Sequence, residues 1–258
     1  MKNTKIDKVA NNLVKAFVQN RIIAPIPLKF TKSMKNAESL RRLCESKIKQ
    51  PIIGFKAGGT SIKMLKKWGI KKPFYAAVYK KNLLSSGKKV KINPYILGAE
   101  LEVGYLIKKS FFQSKGSINF INIHKHISHM MPAIEVVGYR QKKKGIKFLG
   151  DLCSDFGANV KFIVGKKSKY KKINFGKLKS SIENKKIKQI VFGHTNTVYI
   201  NPLNSLRFVL NKLKKDQIIL DKNFYIFTGS TVGVTPILGK GIYQGKIDKL
   251  GSVKTKII

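Results

Sequence analysis

Acidic side chains are scarce in this chain, and arginine is scarcer still. The 258 residues include 12 Asp and Glu against 53 Lys and Arg, for a formal net charge of +41, and five of the basic residues are arginines. Proteins that read bases or grip phosphates tend to use arginine forks and to concentrate their charge on one face. Here lysine is spread along the whole chain, and Lys, Ile and Asn are written by A/T-rich codons. We therefore expect nucleic acid to bind only non-specifically, with a dedicated nucleic-acid-binding protein as the alternative from a different class.

Long apolar runs and closely spaced cysteines are also missing. No run of eighteen or more apolar residues occurs, so the sequence predicts no membrane-spanning helix and no membrane partner. The first residues follow an amphipathic pattern instead of the apolar stretch of a secretory signal. The two cysteines, Cys44 and Cys153, lie far apart, which predicts reduced thiols. Together these features predict a cytoplasmic protein, and 258 residues suffice for one sizeable core.

Hydrophobic spacing divides the chain into a helical start and a strand-rich remainder. Apolar residues recur at helical spacing over residues 6–17 and again over about 34–48, which predicts two amphipathic helices. From residue 51 onward the pattern changes to short strands separated by Gly- and Lys-rich turns. We therefore predict an α+β protein that forms a single structural domain, with an N-terminal helical region over 1–50 and a strand-rich region over 51–258.

Three of the few acidic residues lie inside apolar segments. Glu100 and Glu102 are in the apolar run 96–107, and Glu135 is in another over 131–137. Because strand side chains alternate, Glu100 and Glu102 point to one face. Two carboxylates about 5 Å apart repel by roughly 3 kcal/mol at an effective dielectric near 20, so a cation must compensate them. Three carboxylates suit a hard ion such as Mg²⁺ or Mn²⁺. The alternative is an edge strand whose glutamates face solvent beneath passing lysines.

Six short segments carry a resemblance to a known family. They are GFKAGGTS at 54–61, ELE at 100–102, PAIEVV at 132–137, NPLNSL at 201–206, FTGS at 227–230 and LGSV at 250–253. In this order, which spans nearly the whole chain, they resemble the 2-keto-4-pentenoate hydratase group of the fumarylacetoacetate hydrolase superfamily. The resemblance implies a mixed β-roll with an N-terminal helical region and a homo-oligomer. It also implies a Mg²⁺ or Mn²⁺ ion held by Glu100, Glu102 and Glu135.

The same resemblance implies roles for other residues. Lys56 matches the catalytic or substrate-orienting lysine, and its apolar, Gly-rich neighbourhood is unusual among the lysines here. Burial and a nearby metal would lower the pKa of this lysine toward proton transfer near neutral pH. The residues expected to bind substrate through backbone N–H groups and hydroxyls are Gly59, Thr60, Ser61, Thr228, Gly229 and Ser230. For the last three, a plain turn stabilised by its own hydroxyls is the alternative.

The implied function is a metal-dependent lyase of hydratase type. Its substrate would be a short 2-oxo or 2-hydroxydienoate acid such as 2-hydroxypenta-2,4-dienoate. One departure affects this prediction: hydratases of the group usually carry an Asp paired with the lysine, and Phe74 stands in its place. The related 4-oxalocrotonate decarboxylases tend to be apolar there, so a decarboxylase is the runner-up. A homologue with altered or lost hydratase activity is the third alternative.

Several other polar residues have competing interpretations. His124, His126 and His129 fall in one stretch predicted to be a helix before the strand of Glu135, and a histidine metal site there is conceivable but has no carboxylate in the segment. Asp151 and Asp155 could support the metal ligands or cap a helix or turn. No nucleotide-binding glycine motif is present.

Overall fold

The structure is a computed structural model and describes residues 5–141 and 144–258. The described α-helices are α1 (Lys5–Gln19), α2 (Met34–Ser46), α3 (Ile62–Lys67), α4 (Ile123–His126), α5 (Leu149–Ser154) and α6 (Pro202–Lys215). The described strands are β1 (Ile52–Gly58), β2 (Phe74–Tyr79), β3 (Leu83–Ser85), β4 (Lys89–Val90), β5 (Ile96–Ile107), β6 (Ile127–Gly138), β7 (Asn159–Val164), β8 (Ser168–Lys169), β9 (Lys179–Asn184), β10 (Gln189–His194), β11 (Phe224–Ser230), β12 (Gly241–Ile247) and β13 (Gly251–Ile257).

The first two helices confirm the predicted helical start. In α1, residues at helical spacing such as Leu13 and Phe17 are buried. In α2 the hydroxyl of Ser33 caps the first turn by accepting from the N–H of Asn36 at 3.2 Å. The ring of Phe17 packs against that of Phe156, far along the chain. The helical layer and the strand-rich remainder therefore share one hydrophobic core.

The strands form two sheets. The larger sheet has the strand order β2-β1-β11-β5-β6-β7-β3, with β8 paired to β6, and the smaller has the order β10-β9-β12-β13-β4. Leu101 and Val103 of β5 are fully buried, as alternation predicts. A side chain at Gly245 of β12 would come within 2.4 Å of Leu101, so β12 in the smaller sheet packs closely against β5. This face of β5 is core, which leaves its other face for Glu100 and Glu102.

The structure differs from the sequence-based expectations at several elements. His129 lies on β6, so the helix predicted to carry three histidines ends at His126. Strands β9 and β10 were not predicted: KSSIEN of β9 holds a single apolar residue, and the three apolar residues in QIVFGH of β10 are adjacent and do not alternate with polar ones.

The structure agrees with the predictions made for the two cysteines and for membrane-spanning helices. Cys44 and Cys153 are buried free thiols. None of the helices in the described residues is long and apolar enough to cross a membrane.

Candidate metal centre and its cavity

Strands β5 and β6 bring the three predicted glutamates together. The two strands are antiparallel, with Glu100 directly opposite Glu135 and Glu102 opposite Ala133. All three carboxylates offer oxygen atoms that lie within 4.8 Å of one another. Strand β5 is paired on both sides, Glu102 and Glu135 are fully buried, and Glu100 is half-buried. The alternative of a solvent-facing edge strand is therefore wrong.

Lys56 of β1 reaches the same cluster. Its ammonium lies 2.8 Å and 2.7 Å from the two carboxylate oxygens of Glu135 and donates to the carbonyl of Gly157 at 3.0 Å. Strands β1 and β6 are separated in the sheet by β11 and β5, so this contact requires a strongly curled sheet. The curl places the predicted catalytic lysine beside the predicted metal ligands.

Without a bound ion, the glutamates reverse the lowering of the pKa that burial was expected to cause at Lys56, and the expectation for the metal-bound site stays a prediction. Burial by itself would lower the pKa of Lys56, but Glu135, Glu100 and Glu102 outweigh it and raise that pKa. Lys56 is therefore a firmly held ammonium in this state. Its ammonium lies beside the predicted metal ligands.

The cluster has an excess of negative charge. Three carboxylates face one ammonium, which leaves a formal charge of −2 when all are ionised. Burial raises the pKa values of Glu100 and Glu102 to about 7, against the opposing effect of Lys56, and burial also raises the pKa of Glu135. Within the described chain, Oε1 of Glu102 is buried and has no hydrogen-bond partner. A hard divalent cation would neutralise the excess and satisfy this oxygen, so the residues fit Mg²⁺ or Mn²⁺.

Gly229 orients one of the carboxylates. Its N–H donates to Oε2 of Glu102 at 2.8 Å, at a point where the pairing of β11 with β5 is irregular between Phe227 and Ser230. The backbone of Gly229 has φ +108°, and a Cβ atom there would lie 2.0 Å from Oγ1 of Thr60. Glycine is thus required for both the conformation and the close approach.

A cavity of about 540 Å³ opens onto the cluster, and its wall includes Lys56 and Glu100. The predicted substrate-binding residues in its wall are Gly59, Thr60, Ser61, Gly229 and Ser230. Ser61 also caps α3 by accepting from the N–H of Met64 at 3.4 Å. These placements are compatible with the predicted roles, which remain predictions.

Thr228 is placed differently from its neighbours. Its side chain is fully buried, it is not part of the cavity wall, and its hydroxyl donates to the carbonyl of Val103 at 2.9 Å. The carbonyl of Thr228 in turn accepts from Ser205 at 2.7 Å. This position favours a role in fixing β11 and α6 over the predicted contact with substrate.

Apolar residues form much of the remaining wall, and sequence reasoning missed most of them. Phe74, the residue at the usual acid position, lines the cavity and packs closely enough on Gly58 that a Cβ there would lie 2.3 Å from its ring. Other apolar wall residues are Met64, Trp68, Leu149, Leu152, Phe192, Val232 and Val234. They come from α3, α5, β10 and the loop after β11, and nothing local in the sequence shows that these segments meet.

The remaining polar candidates lie in other networks. Asp151 accepts from the N–H groups of Lys147 and Phe148 at the start of α5, and Asp155 forms an ion pair with Arg140. His124 contacts the hydroxyl of Tyr170. Within the described residues, the three glutamates are the one group of three or more potential ligands that converge, so the histidine site is not supported.

Comparisons with known proteins agree with this architecture. No family model matches the chain, and no curated protein matches it. Among solved structures, 4-oxalocrotonate decarboxylase from Pseudomonas putida G7 complexed with calcium and acetate aligns with a TM-score of 0.84 at 17% identity, covering 100% of this chain and 99% of the other. The same enzyme complexed with magnesium and adipate aligns with a TM-score of 0.83 at 19% identity, again over 100% and 99% of the two chains.

Two solved structures with lower TM-scores align over less of the chain. Fumarylpyruvate hydrolase from Pseudomonas aeruginosa in complex with Mn²⁺ and pyruvate aligns with a TM-score of 0.60 at 11% identity, covering 82% of this chain and 92% of the other. Fumarylacetoacetate hydrolase from Exiguobacterium antarcticum also aligns, with a TM-score of 0.55 at 14% identity, covering 81% of this chain and 75% of the other. These matches confirm the predicted fold: the chain has the mixed α+β fold shared by enzymes related to fumarylacetoacetate hydrolase.

Proposed function

We propose that this chain is a metal-dependent lyase acting on a short 2-oxo acid or its 2-hydroxydienoate form, by water addition in the manner of a hydratase. The observation that carries the proposal is the convergence of Glu100, Glu102 and Glu135 with Lys56, in a cluster from which Glu100 and Lys56 line a cavity. Solved structures with the same fold hold calcium, magnesium or Mn²⁺, which supports a divalent cofactor.

The three glutamates would hold the ion, and Mg²⁺ or Mn²⁺ is our proposed cofactor. When bound, the ion would supply Lewis-acid stabilisation of the negative charge that develops on the 2-oxo oxygen of the substrate. The N–H of Gly229 keeps the carboxylate of Glu102 turned into the cluster. Gly59 and Thr60 lie in the cavity wall, where their backbone N–H groups would orient the substrate carboxylate.

Lys56 is the residue we propose to handle the proton. Its Nζ is fixed between Glu135 and the carbonyl of Gly157. As an ammonium it would donate a proton to the substrate carbon during ketonisation and then recover, through water, the proton that the 2-hydroxyl of the substrate gives up. Phe74, Leu149 and Leu152 would limit the water that reaches this point.

A decarboxylase is the second candidate, and two observations favour it. Phe74 stands where a second acid or base would be needed for water addition, and the ionisable side chains lining the cavity in the described chain are Lys56 and Glu100. The decarboxylase structures also align over the whole of this chain, whereas the hydrolase aligns over 82%. Carbon dioxide loss needs an electron sink and one proton donor, which Lys56 with the bound ion could supply.

One experiment tests the lyase and separates its two forms. Protein purified with Mg²⁺ or Mn²⁺ is incubated with 2-hydroxypenta-2,4-dienoate and, separately, with 4-oxalocrotonate. Formation of 4-hydroxy-2-oxopentanoate from the first supports the hydratase, and release of CO₂ from the second supports the decarboxylase. If neither substrate turns over, or if turnover proceeds equally after chelation of divalent ions, the metal-dependent lyase is rejected.

The nucleic-acid alternative has its own test. A dedicated binder with a net charge of +41 should hold nucleic acid at physiological salt, with a concentrated basic face. We expect weak binding that is lost as salt approaches about 0.15 M. Tight, sequence-selective binding at that salt concentration would favour the alternative.

A further inference from the structure

The segment Phe156–Ala158, which lies between α5 and β7, has an unusual backbone. Its three residues all have positive φ, at 51° for Phe156, 68° for Gly157 and 62° for Ala158. A left-handed conformation is easy for glycine, but it is unfavourable for alanine and strained for a bulky residue such as phenylalanine. Strained backbone persists only where its surroundings fix it, and it clusters at functional sites. We call Phe156–Ala158 the left-handed turn.

The left-handed turn is held at both of its ends by one side chain. The guanidinium of Arg140 donates to Oδ1 of Asp155 at 2.8 Å, just before the turn, and to the carbonyl of Asn159 at 3.1 Å, just after it. The N–H of Ala158 also donates to the carbonyl of Asp155 at 2.8 Å, which closes the turn. A single planar cation therefore clamps the turn, and this geometry suits the fork of a guanidinium better than the point charge of an ammonium.

The middle of the turn contacts Lys56. Gly157 lies in the cavity wall, and its carbonyl accepts from Nζ of Lys56 at 3.0 Å. A Cβ atom at Gly157 would lie 3.4 Å from Cδ of Lys56, so the turn also packs against the stem of this lysine. Lys56 donates as well to Oε1 of Glu135, but that carboxylate is a proposed metal ligand and would share its charge with an ion. The carbonyl of Gly157 is neutral, so it anchors Lys56 whatever the charge state of the glutamates.

We propose that the left-handed turn positions Lys56 for proton transfer, and that Arg140 and Asp155 are positioning residues although neither is part of the cavity wall. The inference rests on the proposed function, which gives Lys56 its role with the proton. A proton donor works only within hydrogen-bond reach of the atom that receives the proton. A displacement of about 1 Å therefore slows the transfer strongly, while the contacts that bind the substrate are kept. The strain of the turn directs the carbonyl of Gly157 at the lysine.

The substitution Arg140→Lys tests the clamp while it keeps the positive charge. The new ammonium can pair with Asp155, but it cannot also hold the carbonyl of Asn159 in the fork geometry. With the lyase substrate that the wild type turns over, we expect kcat to fall about tenfold, while KM and the Mn²⁺ affinity measured by calorimetry stay within about twofold of wild type. An unchanged kcat would overturn the proposal. A tenfold loss of Mn²⁺ affinity would also overturn it, because the effect would then lie in the metal ligands.

The substitution Ala158→Gly tests the turn without touching the ion pair. Glycine adopts the left-handed conformation without strain, so the variant should melt within about 2 °C of wild type. It also lets the turn adopt other conformations, so kcat should fall about threefold at an unchanged KM. The control is Leu213→Ala in α6, which opens a cavity in the core and should lower Tm by several degrees with kcat unchanged well below that Tm. If kcat follows Tm across these variants, the turn is merely structural and the proposal is overturned.

Crystal structures of the wild type and of Arg140→Lys give a readout that needs no substrate. The distance from Nζ of Lys56 to the carbonyl of Gly157 is 3.0 Å in the wild type, and in the variant it should exceed about 3.5 Å. An unchanged distance would overturn the positioning role, whichever substrate the enzyme takes. A wild type that turns over neither lyase substrate would instead reject the proposed function, and with it the role of the turn in proton transfer, even if the distance changes.

Discussion

Two buried ionic clusters in this protein differ in charge balance. Arg140 and Asp155 form one: the guanidinium donates to Oδ1 of Asp155 at 2.8 Å, the N–H of Arg140 donates to Oδ2 at 2.7 Å, and a second guanidinium nitrogen donates to the carbonyl of Asn159 at 3.1 Å. Both oxygens of Asp155 therefore have partners. The guanidinium also packs over the rings of Phe17 and Tyr95.

The glutamate cluster has no such balance. Its three carboxylates share one ammonium, Oε1 of Glu102 has no partner in the described chain, and the pKa values of Glu100 and Glu102 are raised to about 7. The comparison shows how to tell a structural ion pair from a binding site. The pair of Arg140 and Asp155 needs no further ion, although Nε of Arg140 is buried without a partner in the described residues. The unbalanced cluster, by contrast, would be completed by a ligand of opposite charge.

Breaking the balanced pair should have the largest effect. Arg140→Met leaves Asp155 buried without its cation, which should lower the free energy of unfolding by about 3–5 kcal/mol. Urea denaturation of the purified variant measures this change. Adding Asp155→Leu to the same variant should recover part of the loss, because the uncompensated charge is removed. A single variant as stable as wild type would show that the pair is not the structural element we describe.

Removing one negative charge from the glutamate cluster should weaken cation binding without destabilising the fold. Glu102→Gln removes one charge and keeps an oxygen that can accept from the N–H of Gly229. The cation-free variant should be at least as stable as wild type, while its Mn²⁺ affinity by calorimetry should fall about 100-fold. The control is Glu183→Gln on β9, a partly exposed residue outside the cluster, which should leave Mn²⁺ affinity unchanged. Full Mn²⁺ affinity in Glu102→Gln would contradict the site.

The hydrogen bond from Gly229 that orients the carboxylate of Glu102 can be tested by adding a Cβ atom at Gly229. Gly229 and Gly233 both have positive φ, but a Cβ at Gly229 meets Thr60 at 2.0 Å, whereas at Gly233 it meets nothing within 4 Å. Gly229→Ala should therefore cost about 2 kcal/mol more than Gly233→Ala and should also weaken Mn²⁺ binding. Thermal unfolding with and without Mn²⁺ measures both effects. Equal behaviour of the two variants would show that the close approach to Thr60 is unimportant.

The sequence predicts the features of these clusters that depend on neighbouring residues, and it does not predict those that depend on contacts between distant segments. Alternation along one strand was enough to place Glu100 and Glu102 on one face, and the apolar surroundings of Glu135 and Lys56 marked them as unusual. The structure brings the three glutamates together beside Lys56, while their roles stay predictions. The fold class followed from a helical period that changes to strand-like segments after residue 50.

Features that depend on curl and register could not be predicted. The carbonyl of Gly157 beside Lys56, the irregular pairing at Gly229, and the wall contributed by Leu149 and Phe192 all come from contacts between distant segments. The same limit applies to the charge balance. Arg140 precedes Asp155 by fifteen residues, and no local sequence pattern shows that these two form an ion pair. Nor does any local pattern show that Glu100 and Glu102 share a single ammonium with Glu135.

The smallest expected effect is the pH dependence of cation binding by the glutamate cluster. The pKa values of Glu100 and Glu102 lie near 7, above the ordinary 4.5, so protonation favours the cation-free fold at low pH, and this contribution is lost as the pH rises from about 4.5 through 7. A divalent ion binds the ionised carboxylates, so the increase in Tm caused by saturating Mn²⁺ should be several degrees larger near pH 8 than near pH 6. Scanning calorimetry at the two pH values measures it, with Glu102→Gln as the control in which the increase is small at both. An increase in Tm that is the same at both pH values, or larger at the lower one, would show that the glutamates are already balanced, as the Arg140–Asp155 pair is.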